Sequence, residues 1–152
     1  MGTRTIRVGV LAGLLIQAAV LAQNDHGPGR AGRAAAERFC EQTLHGEVFA
    51  RTELYFGLSR ADGPNVTEAE FQHFLDTVVT PRFPDGLTLL SGSGQFRGAS
   101  GVVQKEPSKV LILFYVWEPA RQKAIERIRA VYKATFHQEA VLRVDDASCV
   151  SF

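Results

Sequence analysis

Between Arg51 and Ser59 the chain alternates, with Thr52, Leu54, Phe56 and Leu58 separated by Arg51, Glu53, Tyr55 and Gly57. A period of two with one apolar set predicts a strand with one buried face. The pattern then becomes helical. Thr67-Glu68-Ala69-Glu70 has the form of a capping box, and Val66 is placed to staple onto Phe71. Phe71, Phe74, Leu75, Val78 and Val79 follow at the spacing of one helical stripe, and Pro81 ends it. The next segment, "TPRFPDGLT" at 80–88, carries two prolines and an Asp-Gly pair. Pro84-Asp85-Gly86 reads as a tight turn, after which Leu87–Leu90 resumes as a strand.

Gly92, Gly94, Gly98 and Gly101 punctuate the following stretch, which predicts a strand with a bulge and a hairpin-like connection. Lys109 to Trp117, "KVLILFYVW", is apolar on both faces and predicts a central strand covered on both sides. Glu118-Pro119 opens a second helix with proline at its first position. Its core stripe is Ala124, Ile125, Ile128, Val131, Tyr132 and Phe136, and Arg121, Lys123, Arg129 and Lys133 form a solvated face. Ala140–Val144 is the last strand and continues towards Cys149. Ahead of these elements, Ala34–His45 favours a short helix on propensity.

The order is β-α-β-β-α-β behind an N-terminal helical extension. We expect residues 34–152 to form a single α+β domain of the ferredoxin-like kind. Right-handed crossovers would centre the first and third strands of an antiparallel sheet, with both helices on one face and the other face open. The start of the first strand would then lie beside the end of the last, bringing Cys40 and Cys149 to the same end of the sheet.

The chain's N-terminus differs in kind. Arg4 and Arg7 precede a largely apolar run from Val8 to Ala22, the form of a secretory signal peptide over residues 1–22. The run is too short for a comfortable membrane span. Residues 23–33, "QNDHGPGRAGR", read as a flexible leader. Cleavage behind Ala22 leaves 15 of the 17 Lys and Arg against 16 Asp and Glu, a net charge of −1, which does not point to nucleic acid. The expected location is periplasmic or extracellular, with no membrane attachment after cleavage. In that compartment Cys40 and Cys149 form a structural disulfide, and neither lies in a redox or zinc motif.

No catalytic motif, cofactor fingerprint or metal-ligand spacing emerges. His26, His45, His73 and His137 are scattered over the leader, an element boundary and two helix positions, where solvated or capping roles suit them. "GSGQFRG" lacks the spacing and the following helix of a dinucleotide loop. The candidate surface is the open sheet face. Glu53 and Tyr55 point there, and Arg143 and Asp145 of the last strand are expected to join them. One apolar set of the central strand accompanies them, either Leu111, Leu113, Tyr115 and Trp117 or its alternate. Such a face in water calls for a partner. The readings are a homodimer with ion pairs setting its register, a binding cavity for a small ligand or protein using Glu53, Tyr55 and Arg143, or a small cofactor-free enzyme with Glu53 as acid or base. Arg82 is expected to satisfy the end of its own helix or pair with Glu118; anion binding at the mouth of the open face is its functional alternative.

"TELYFGLS", "VTPRFPDGLT", "GQFR", the Glu106–Val110 stretch and the ending "AVLRVDDASCVSF" resemble the bacterial family catalogued as domain of unknown function 3574. The resemblance runs from about Arg51 to Phe152. It implies a secreted or periplasmic protein and brings no activity. Members often carry a lipoprotein cysteine, and this chain has Gln23 behind the apolar run instead.

Overall fold

The computed structural model describes residues 30–60 and 63–152. The signal-peptide run 1–22 and leader residues 23–29 lie outside the described residues. Helix α1 runs Arg30–Leu44 and thus begins ahead of the predicted Ala34. Strand β1 (Glu47–Gly57) follows, then α2 (Glu68–Phe74), β2 (Thr88–Arg97), β3 (Val103–Tyr115), α3 (Pro119–Phe136) and β4 (Leu142–Val150). The four strands form one sheet in the order β2-β3-β1-β4, and every neighbouring pair is antiparallel.

The sheet register sorts side chains onto two faces. Leu54 lies opposite Leu111, Thr52 opposite Leu113 and Phe56 opposite Lys109. These residues are all buried, in a core shared with Phe71, Phe74, Leu75 and Val79 of the α2 segment and Ile125, Ile128, Tyr132 and Phe136 of α3. Phe56 is the hub, its ring 4.5 Å from Tyr132, 5.6 Å from Phe71 and 5.8 Å from Phe74 between centroids. The Tyr132 hydroxyl donates to the Gly57 carbonyl at 2.8 Å, tying α3 to the end of β1. Burial pushes that phenol well above its ordinary pKa, so it stays a donor.

The capping box of α2 is formed as its sequence implies. Glu70 N–H donates to the Thr67 hydroxyl, and the Glu70 carboxylate accepts from the Thr67 N–H. Hydrogen bonds from Arg60, then from the Thr67 N–H and hydroxyl, hold the Glu70 carboxyl down at about 2, against an ordinary 4.5. A carboxyl depressed by folding contributes stability that is present above its unfolded pKa and lost as pH falls through its folded one. The melting temperature should therefore fall as pH drops from about 4.5 towards 2, and Glu70→Gln should flatten that part of the profile. A profile unchanged by the substitution would contradict this role.

Two local expectations are corrected. The last turn of α2 is not α-helical: Leu75–Val79 is a π-helical turn, with Thr80 N–H reaching back to the Leu75 carbonyl at 2.8 Å. The Pro81 ring would collide with a carbonyl one turn back in a regular helix, and the wider turn relieves this at the helix end. β2 carries no bulge. Its pairing with β3 steps without interruption from Thr88↔Ile112 to Arg97↔Val103, so Gly92 and Gly94 sit within a regular strand.

Cys40 and Cys149 form a disulfide with a Cα separation of 5.5 Å. Val48 lies opposite Cys149, so the start of β1 meets the end of β4 where α1 arrives. Gly46 makes the approach possible, because a Cβ there would come within 2.6 Å of the Val150 carbonyl. His45 and His137 have positive φ values of 50° and 53°, each just beyond a helix end, the conformation of a left-handed cap.

Candidate functional site

The face of the sheet away from α2 and α3 is built by the alternate residues. Arg51, Glu53 and Tyr55 of β1 lie opposite Phe114, Ile112 and Val110 of β3 and opposite Asp146, Val144 and Leu142 of β4. Leu90 of β2 adjoins Val110. Leu90, Phe114, Leu142 and Val144 each expose between 42% and 60% of their surface. The central strand therefore turns Val110, Ile112 and Phe114 outward, the alternate of the Leu111, Leu113 and Tyr115 set. Trp117 lies beyond the strand end and is exposed.

At the centre of this apolar face the three β1 side chains form a string. The Arg51 guanidinium pairs with one Glu53 carboxylate oxygen, and the Tyr55 hydroxyl donates to the other at 2.5 Å. That hydrogen bond, with partial burial and the Glu53 charge behind it, raises the Tyr55 phenol above its ordinary pKa; the phenol remains protonated and holds the carboxylate in place. Arg51 Nε is buried and has no acceptor among the described residues. Near Tyr55 lies a cleft of about 930 Å³ lined from both sides of the β4 edge, by Tyr55, Glu106 and Leu142 on this face and by Arg129, Arg143 and Asp145 on the helix side.

Arg143 and Asp145 do not belong to this face, contrary to expectation. Arg143 lies opposite Leu54 and Asp145 opposite Thr52, which turns both towards the helices. Arg143 is held there by Asp145 at 2.8 Å, Glu126 at 2.9 Å and Gln122 at 2.6 Å. Asp145 also accepts from the buried Thr52 hydroxyl at 2.7 Å, and that hydroxyl meets Tyr115 at 2.8 Å. The edge strand thus closes the layer between sheet and α3 with a polar network, and its apolar residues, Leu142 and Val144, point outward. Burial opposes the charge on Arg143, but the Asp145 and Glu126 carboxylates outweigh it and raise its pKa. Burial likewise disfavours the Glu126 carboxylate, and hydrogen bonds from Arg143 and Arg129 bring it below its ordinary range.

Arg82 is also remote from the open face. Its Nη1 donates to the Val78 carbonyl at 2.5 Å, satisfying the end of its own helix, where the dipole favours a cation. Glu118 is taken by Arg121 at 3.0 Å. The sequence pattern places Arg121 on a solvated face; the structure instead has it donate to the Arg82 carbonyl at 2.7 Å, lie 3.6 Å from Asp85 and cover the Phe83 ring at 5.4 Å. Pro84 and Asp85 form the turn, and Gly86 takes a φ of 152° that other residues avoid. "TPRFPDGLT" is accordingly a pinned corner. Arg121→Ala should cost about 1–2 kcal/mol, and Arg82→Ala about 1 kcal/mol, with binding at the open face unchanged; paired thermal melts measure the ranking.

Lys109 is a further residue whose role the sequence did not disclose. It is buried on the helix-facing side, where its Nζ donates to Glu68 at 2.7 Å and to Ser91 at 2.9 Å beneath the Phe71 ring. It anchors the start of α2 to the sheet. Among the described residues, no group of three or more His, Cys, Asp or Glu is placed to hold a metal ion.

The chain matches the model of the family described as protein of unknown function (DUF3574) over residues 51–152, and it belongs to that family. Solved structures that resemble it include two of one phage protein. A phage SAM lyase in complex with S-methyl-5'-thioadenosine has a TM-score of 0.53 and 15% identity, with 68% of this chain and 90% of that chain covered. The phage SAM lyase in its apo state has a TM-score of 0.50 and 14% identity, with 69% and 90% covered. At such identity the likeness is one of fold. No curated protein matches the sequence.

Proposed function

We propose that this member of a family without an assigned role is an exported bacterial binding module that works through its open sheet face, by self-association or by capture of another molecule. In this reading the β2-β3-β1-β4 order is the ferredoxin-like arrangement, with its helix-free face left for a partner. The observation that carries it is the row of exposed apolar residues, Leu90, Phe114, Leu142 and Val144, around the Arg51–Glu53–Tyr55 string. One further observation favours export: a disulfide joins Cys40 and Cys149, and such bonds persist in oxidising compartments.

A cofactor-free enzyme using Glu53 as acid or base is the second reading. The cleft at the Tyr55 end of the face favours it, and so does the phage SAM lyase fold, which is known to carry a reaction in that protein. Against it, both carboxylate oxygens of Glu53 are engaged, by Arg51 and Tyr55, which suits a fixed structural charge better than a proton carrier.

Binding of an apolar fluorescent dye to dilute protein tests the first reading. Phe114→Glu should leave monomer stability within about 0.5 kcal/mol, as for an exposed position, and reduce dye binding severalfold. Dye binding that survives Phe114→Glu and Val144→Glu alike would remove the face from consideration.

A further inference from the structure

We propose that the occupant of the open sheet face is a second copy of this chain, packed about a two-fold axis passing between Arg51 and Glu53, so that each guanidinium meets the partner's Glu53. The inference rests on the reading of that face as a binding surface, and it names what binds.

Size is the first argument. The sheet has four strands, and β1 pairs with β3 over eight residues. At about 4.8 Å between strands and about 3.4 Å per residue, that is a slab of roughly 19 by 27 Å, about 500 Å² in plan, against the ~800 Å² of accessible surface that each partner contributes to a standard interface. A small ligand would leave most of it wet, whereas a second sheet covers it whole, at the usual spacing of about 10 Å between packed sheets.

The charges supply the second argument. A two-fold interface is self-complementary: where residue i meets residue j, j also meets i. Arg51 and Glu53 point the same way from one strand, about 6.8 Å apart. A cation and an anion so placed are their own complement under an axis midway between them, whereas an axis through Glu53 would stack two carboxylates. Within one copy the guanidinium is only partly used, since Nη2 pairs with Glu53 while the Arg51 side chain stays 37% exposed, within reach of a second carboxylate. The partner's Glu53 offers a second carboxylate to the same guanidinium. Of the flanking exposed side chains, Phe114 and Val144 are apolar and keep water from the exchanged pairs on their sides, the condition under which such pairs become specific, while Asp146, opposite Arg51 on β4, adds a further carboxylate beside the cation.

Two charge-reversed chains test this directly. In the homodimer Arg51→Glu gathers four carboxylates at the axis, two from each copy, and Glu53→Arg gathers four guanidinium groups. Sedimentation velocity should show the wild type as a dimer, and each variant alone should dimerise about 100-fold more weakly or worse. The two variants mixed in equal amounts should form a mixed dimer with near wild-type affinity. A bond within one strand cannot produce that rescue. Circular dichroism establishes that both variants are folded; if either is not, Arg51→Gln and Glu53→Gln take their place, each weakening the dimer about tenfold. A wild type that stays monomeric at all concentrations would overturn the proposal, and so would variants that fail to associate on mixing, while apolar dye binding at Phe114 would still stand for the face itself. A wild-type dimer indifferent to Phe114→Glu would overturn both.

Discussion

Cys149→Ser is expected to lower the melting temperature by more than about 10 °C. The bond closes a loop with a sequence separation of 109, and in the chain-entropy model a loop of about 100 residues is worth about 4.7 kcal/mol, less any native strain. The loss should fall unevenly. Among the described side chains of α1 only Cys40 is buried, while Phe39 and Leu44 of the same helix stay exposed, so α1 is held to the sheet chiefly through its cysteine. Amide exchange should rise first along 30–44 and at the Val150 end of β4, ahead of global unfolding. Reductant added to the wild type should reproduce the shift. An unchanged melting temperature, or two free thiols in protein recovered from an oxidising compartment, would contradict the assignment.

Phe56→Ala is the second large effect, expected at about 3–5 kcal/mol. The side chain is fully buried and contacts Phe71, Phe74 and Tyr132 from three directions. Two of those rings sit on the α2 segment and one on α3, so the residue joins both helices to β1 and the cavity has no single neighbour free to fill it. Edge-to-face contacts add about 0.5–1.5 kcal/mol beyond buried area. The control is Phe114→Ala, an aromatic of the same sheet on the opposite face, which should cost the dilute monomer about 0.5 kcal/mol or less. Equal losses at the two positions would mean that the faces are assigned the wrong way round.

Much of the architecture was legible because the sequence repeats the same message at several scales. Thr52, Leu54 and Phe56 alternate, Thr67 and Glu70 announce a helix start, and Pro119 marks another. What escaped was non-local. β4 reads Leu142-Arg143-Val144-Asp145, and alternation alone says that its apolar pair faces the core. The reverse holds, because Gln122 and Glu126 of α3 and the Thr52 hydroxyl of β1 make the inner surface polar at that edge. Those partners lie far away in sequence. The same reason hid Lys109, whose carboxylate partner is Glu68, and Arg121, whose acceptor is a backbone carbonyl of the Arg82 corner. β3 was ambiguous by composition, since both of its faces are apolar; the register Phe56↔Lys109 decides which one meets the helices. Of the candidate site, Glu53 and Tyr55 are brought together on one face, joined by Arg51; Arg143 is turned to the helix side but lines the same cleft as Tyr55, and Arg82 caps its own helix.

The claim that the open sheet face is the working surface is tested most directly by hydroxyl-radical footprinting of the purified protein across a dilution series. Leu90, Phe114, Leu142 and Val144 should be strongly labelled when dilute and protected together as the protein is concentrated, with Phe39, exposed on α1, labelled throughout. If those four residues label equally at every concentration, and in whole cells producing the protein as well, the face has no partner and the account fails.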